Sequence, residues 1–90
     1  MDHPSHKLEV TRLKRLQGQV SGILRMVEEE RYCVDILTQI RAVQAALRRV
    51  ELNILERHVH HCVQDAARAG DPEAEAKLDE LFGLLKRFGS

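Results

Sequence analysis

The chain has 90 residues, 43% hydrophobic and 3% aromatic, with 14 basic and 14 acidic side chains and a formal net charge of zero. That length makes one domain at most, the composition favours packed helices over sheets, and the neutral balance excludes recognition of nucleic acid by bulk charge alone. The N-terminus lacks the apolar region of a signal peptide and no apolar run approaches the ~20 residues of a membrane span, so the expectation is a cytoplasmic protein with no membrane partner and reduced thiols.

Residues 1–5 read as a flexible tail. A first amphipathic helix is expected from about His6 to Glu29, with Leu8, Leu13, Leu16, Val20, Ile23, Leu24 and Val27 inward. Its basic residues Lys7, Arg12, Lys14, Arg15 and Arg25 face a single acid, Glu9. Gly18 and Gly22 signal close helix packing at most. The acidic run Glu28–Glu30 with Arg31 marks a turn, although no Gly or Pro enforces it. A second helix is expected from about Cys33 to Ala69, because no Gly or Pro interrupts it and apolar residues recur at Ile36, Ile40, Val43, Leu47, Val50 and Ile54. Gly70 suits the position just past its end, and Asp71-Pro72-Glu73 reads as an N-cap, a first-turn proline and a first-turn acid. The third helix then runs over about residues 72–87, with Leu78, Leu81, Phe82 and Leu85 inward. The first two helices should form an antiparallel hairpin. The surplus apolar face of the long second helix calls for another chain, and two hairpins make a four-helix bundle.

Cys33, His58 and Cys62 are the candidate metal ligands. On one helix, His58 and Cys62 are neighbours at i, i+4, and Cys33 lies within about 20° of both around the axis. Along the axis, however, Cys33 is roughly 37 Å away, whereas a metal–sulfur bond spans ~2.3 Å. One helix cannot gather the three. Two antiparallel copies can, with Cys33 of one chain meeting His58 and Cys62 of the other, twice per two-fold dimer. An intrachain disulfide is excluded for the same reason, since its Cα atoms must lie within ~7 Å. Two thiolates and one imidazole suit Cu(I). Zn would take a fourth ligand and Ni or Co more nitrogen and oxygen donors, so Zn or Ni is expected only as an in-vitro substitute. His60 points to solvent, about 180° from Cys33. His61 stands to one side as an additional candidate. His3 and His6 could contribute only if the tail folded over; a disordered tail is the plainer reading. Arg12, Lys14, Arg15, Arg41, Arg48 and Arg49 could form a basic surface or simply be solvated. No G-x-S-x-G, phosphate loop or H-E-x-x-H motif occurs, so no enzyme is expected.

The run Arg12-Leu13-Lys14-Arg15-Leu16-Gln17-Gly18-Gln19-Val20-Ser21-Gly22-Ile23, followed by Arg25-Met26-Val27-Glu28, Tyr32-Cys33-Val34-Asp35-Ile36-Leu37-Thr38-Gln39-Ile40 and His58-x-x-x-Cys62, resembles the copper-sensing repressor (CsoR) family, with its nickel/cobalt- and formaldehyde-sensing relatives. The resemblance covers nearly the whole chain. It implies an all-α, three-helix protomer in antiparallel dimers that pair into a dimer of dimers. It further implies a repressor that binds double-stranded operator DNA and releases it on Cu(I) binding, with Cys33 of one protomer and His58 and Cys62 of another as ligands. Tyr32 and Glu80 match family positions around the liganding histidine, and Arg12, Lys14, Arg15 and Arg49 match basic positions implicated in operator binding. Cys62 points to the copper branch, because nickel/cobalt and formaldehyde sensors typically carry His there. The alternatives are a repressor of the same family that answers nickel, cobalt or another effector, a metal-storage or chaperone bundle without a DNA role, and a thiol-based enzyme using Cys33.

Overall fold

The computed structural model of the chain describes residues 4–69 and 74–88, with the side chains of 66–69, 74 and 75 outside the description. All regular structure among the described residues is helical. A 3-10 turn at Lys7–Glu9 leads into α1 (Val10–Glu28), followed by α2 (Cys33–Ala69) and α3 (Ala74–Phe88). The all-α expectation holds, and α2 begins at Cys33. The Gly70 cap and the Asp71-Pro72-Glu73 restart lie outside the described residues. So do Met1, Asp2 and His3 of the tail. Among the described residues no helix is long and apolar enough to cross a membrane. The described residues divide into two compact units, one of residues 5–54 and one of Pro4 with the residues from Leu55 onward.

The first helix does not begin at His6. The chain first makes one 3-10 turn, in which the Glu9 N–H donates to the His6 carbonyl at 2.9 Å, and α1 proper starts at Val10. Neither His6 nor Glu9 caps its start with its side chain, while Ser5 Oγ accepts from the Lys7 N–H at 3.3 Å. The turn instead carries Glu9 into the interior.

The break after α1 has a specific hydrogen-bonding cause. Glu30 takes the left-handed conformation, with φ 53°. Its N–H donates to Val27 O at 3.1 Å, and the Arg31 N–H reaches back to Met26 O at 2.9 Å. This is the Schellman pattern, which satisfies carbonyls that the ending helix leaves open. The position usually belongs to glycine, so a glutamate there stores local strain. Tyr32 then starts α2, its carbonyl accepting from the Asp35 N–H at 3.0 Å and the Ile36 N–H at 3.2 Å.

Within residues 5–54, α1 and the first part of α2 form an antiparallel hairpin. Leu16, Val43 and Val50 are its buried core, with Ile23, Ala46 and Ile54 packed against them. Spacings of seven between Leu16 and Ile23 and between Val43 and Val50 place each pair on one helix face. The expected inward set of α1 is only partly realised. Leu16 is buried and Ile23 half-buried, but Leu8, Leu13, Val20, Leu24 and Val27 are exposed. A two-helix hairpin covers one narrow stripe on each helix, so the rest of a wide apolar face remains open. Gly18 and Gly22 likewise meet open space, so their close packing is not realised within the chain. In the other unit Leu81 is buried, whereas Leu78, Phe82 and Leu85, also expected inward, are exposed.

Candidate functional site

Two of the proposed ligands lie one turn apart in the second unit. Cys62 is buried, and its thiol donates to the carbonyl of Lys77 on α3 at 3.6 Å. His58 is half-buried, and its Nε2 is shielded from solvent without a hydrogen-bond partner. The nearest carboxylate oxygen to it among the ion pairs is Glu80 Oε1, at 4.0 Å, which is beyond hydrogen-bonding distance. A buried polar nitrogen of this kind calls for a partner. A soft thiol one turn away gives the pair the donor chemistry of a Cu(I) site. The imidazole and thiol present here therefore fit such an ion.

The other histidines separate from this pair. His60 is exposed, as the helical phase predicts, with Nε2 3.9 Å from Glu56 Oε1. His61, the additional candidate, has Nε2 3.4 Å from Asp65 Oδ2. His6 is half-buried rather than solvated, because the 3-10 turn draws it in; its Nδ1 is buried without a hydrogen-bond partner. Cys33 is the first residue of α2 in the unit of residues 5–54, and both it and the preceding Tyr32 are exposed. Among the described residues no group of three or more His, Cys, Asp or Glu side chains comes together as a metal site.

The basic residues converge elsewhere. Arg12, Arg15, Leu16 and Gln19 from α1, with Ala46 and Arg49 from α2, line an open groove of about 280 Å³. Positions 12, 15, 16 and 19 share one face of α1, and 46 and 49 share one face of α2. Leu16 and Ala46 contribute apolar lining, Arg12, Arg15 and Arg49 contribute three basic side chains, and no acid lines the groove. Each guanidinium offers several N–H donors in a plane, which matches phosphate oxygens. Lys14 is exposed and is not part of this lining.

One residue escaped the sequence reading. Glu9 is 1% exposed, the only buried charged side chain among the described residues. It accepts from Asn53 Nδ2 at 3.0 Å and from Arg12 Nη1 at 3.1 Å and 3.3 Å through its two oxygens. The i, i+3 spacing to Arg12 was visible in the sequence; Asn53, 44 residues away, was not.

A model of the metal-sensitive transcriptional repressor family matches residues 5–87. The copper-sensing transcriptional repressor CsoR of Bacillus subtilis is 52% identical over 91 residues, covering 98% of this chain and 88% of that protein. The copper-sensing transcriptional repressor RicR of Mycobacterium tuberculosis is 53% identical over 77 residues, covering 86% of this chain and 80% of that protein. Among solved structures, the Cu(I)-bound copper-sensing repressor CsoR of Geobacillus thermodenitrificans superposes with a TM-score of 0.79 at 47% identity, covering all of this chain (100%) and 94% of that one. The nickel-responsive transcriptional regulator InrS gives 0.81 at 39% identity, covering 98% and 97%. Similar backbones thus occur in a copper-sensing and a nickel-responsive relative.

Proposed function

The chain belongs to the metal-sensitive transcriptional repressor family, and we propose that it is a Cu(I)-responsive repressor. Metal-free protein holds double-stranded operator DNA; Cu(I) binding releases it and derepresses copper efflux or chaperone genes in the cytoplasm. The observation that carries the metal is the pair of Cys62 and His58 one turn apart on α2, the shielded His58 Nε2 facing Glu80 Oε1 at 4.0 Å and leaving Nδ1 for an ion. Resemblance to copper-sensing repressors in sequence and fold supports the same reading.

Cys33 of one protomer completes the donor set with His58 and Cys62 of a second. The exposed apolar residues of α1 and α2 support that assembly, because an uncovered face of this kind is buried by another copy. Two hairpins form an antiparallel four-helix bundle, and two such dimers pair into a dimer of dimers, each protomer being one metal-sensing and DNA-binding domain. Glu80 orients the histidine: a ligating imidazole commonly gives its other ring N–H to a carboxylate, and a shift of about 1 Å would bring Nε2 and Oε1 into a hydrogen bond, leaving Nδ1 as the donor. Tyr32 adjoins Cys33 and joins the surroundings of the site in the assembly. Holding two α2 helices together through these ligands favours a conformation that fits DNA poorly, and the shift equals the difference in affinity for the two conformations. Arg12, Arg15 and Arg49, with Lys14 beside them, meet DNA phosphates. Symmetric repetition gives a neutral chain a strong local basic surface. The reading assigns no catalytic residue.

Gel-shift titration of a duplex from upstream of the chain's own operon tests this. Retardation by metal-free protein, reversed by Cu(I) and not by Ni(II), is expected. Reversal by Ni(II) alone would replace copper with the metal of the InrS likeness, and absence of any specific retardation would leave a storage or chaperone bundle. Replacing Arg12, Arg15 and Arg49 by Ala should weaken DNA binding by at least about tenfold and flatten its salt dependence, because fewer counterions are released.

A further inference from the structure

We infer that the buried Glu9 carboxylate aims Arg12 at DNA, so that an acidic side chain raises the affinity of this protein for a polyanion. The inference rests on the reading of the arginine-lined groove as the DNA interface. A carboxylate withdrawn from water to 1% exposure persists only with partners that replace its hydration. Asn53 supplies one of them, a neutral amide donor from α2 at 3.0 Å. This bond fixes the carboxylate against the second helix of the hairpin. Arg12 supplies another: its Nη1 donates to both oxygens, at 3.1 Å and 3.3 Å. The geometry is one-sided. A single terminal nitrogen is held while the Arg12 side chain remains 53% exposed, so Nε and Nη2 are left for an incoming phosphate.

The consequence is entropic and directional. Arginine is rich in rotamers, and a free one loses that freedom when it binds. Arg12 is already held in the lining of the groove that it shares with Arg15 and Arg49. Glu9 also carries a negative charge near a surface meant for phosphates. Charge alone therefore predicts that removing it tightens DNA binding, whereas positioning predicts that removing it loosens binding. The two accounts differ in sign.

A double-mutant cycle on the full chain decides between them, with metal-free protein titrated against a fluorescein-labelled duplex from its own upstream region at several salt concentrations. Arg12→Ala should weaken binding about tenfold and lower the salt slope. Glu9→Gln, nearly isosteric, should weaken it about three- to tenfold although it removes a negative charge. In the Arg12→Ala background the same Glu9→Gln change should do nothing further. Tighter or unchanged binding by Glu9→Gln would overturn the inference. So would an equal loss in the Arg12→Ala background, since Glu9 would then act on the hairpin as a whole. Unaltered affinity and slope for Arg12→Ala would overturn both the inference and the role of Arg12 in the DNA interface. Should Glu9→Gln fail to fold, Asn53→Ala removes the amide donor from α2 and leaves the Glu9–Arg12 pair. A loss of about two- to fivefold, seen only when Arg12 is present, is expected, and its absence overturns the inference.

Discussion

Cys33 and Cys62 open and approach the end of the same helix, yet their surroundings have little in common. Cys62 is buried, its thiol held by a carbonyl of α3, with a shielded histidine nitrogen one turn away and a carboxylate at 4.0 Å from it. Cys33 is exposed, flanked by the exposed Tyr32 and Val34. One half of the proposed site is therefore organised by the chain itself; in the proposed assembly the other half would acquire its surroundings from another copy. A soft donor pair prepared in this way cannot close a three-ligand site until assembly has occurred, which couples metal binding to quaternary structure.

The strongest way to break this contrast is to remove the thiols separately. Cys33→Ala and Cys62→Ala should each abolish the Cu(I) response while leaving metal-free DNA binding intact, because neither touches the arginine groove. Mixing the two variants should restore binding at one site per heterodimer, since one of its two sites keeps every donor. A Cu(I) competition titration of the mixture reads this, and a well-mixed sample without recovered sites would rule out a shared site. A smaller effect should come from the prepared half alone. Glu80→Ala removes the carboxylate facing His58 and should lower Cu(I) affinity about tenfold in the same titration, with DNA affinity unchanged. The smallest effect concerns the turn leading into Cys33. Glu30→Gly relieves the left-handed strain at φ 53° and should stabilise the fold by about 0.5–1 kcal/mol, read as a higher denaturant midpoint, with Cu(I) affinity within about twofold. A destabilised variant would mean that the glutamate side chain contributes more than its backbone strain costs.

The helices were legible because a 3.6-residue apolar repeat survives without any partner, as Leu16, Val43 and Val50 illustrate. The turn after Glu28 was legible in place but not in cause, since the Schellman bonds use backbone groups and Glu30 carries no signature of a positive φ. Leu8, Val20, Leu24 and Phe82 were expected inward and are exposed, because periodicity identifies an apolar face without saying which molecule covers it. Among the candidate site residues, His58 and Cys62 could be paired from their spacing, and His60 could be set apart by its phase. Glu9 could not be found. A lone acid in a basic helix start looks solvated, and the burial that distinguishes it depends on Asn53 across the hairpin.

The hairpin of residues 5–54 has three buried apolar side chains, against a broad apolar surface left in water. So small a core contributes little stability by itself, and a fold completed by its own copies has no fixed melting point, because its stability rises with protein concentration. For a repressor this makes abundance part of the regulatory circuit. In the proposed assembly, dilution by growth would remove folded subunits and DNA-binding surfaces together, so repression would fade more steeply than the number of chains per cell.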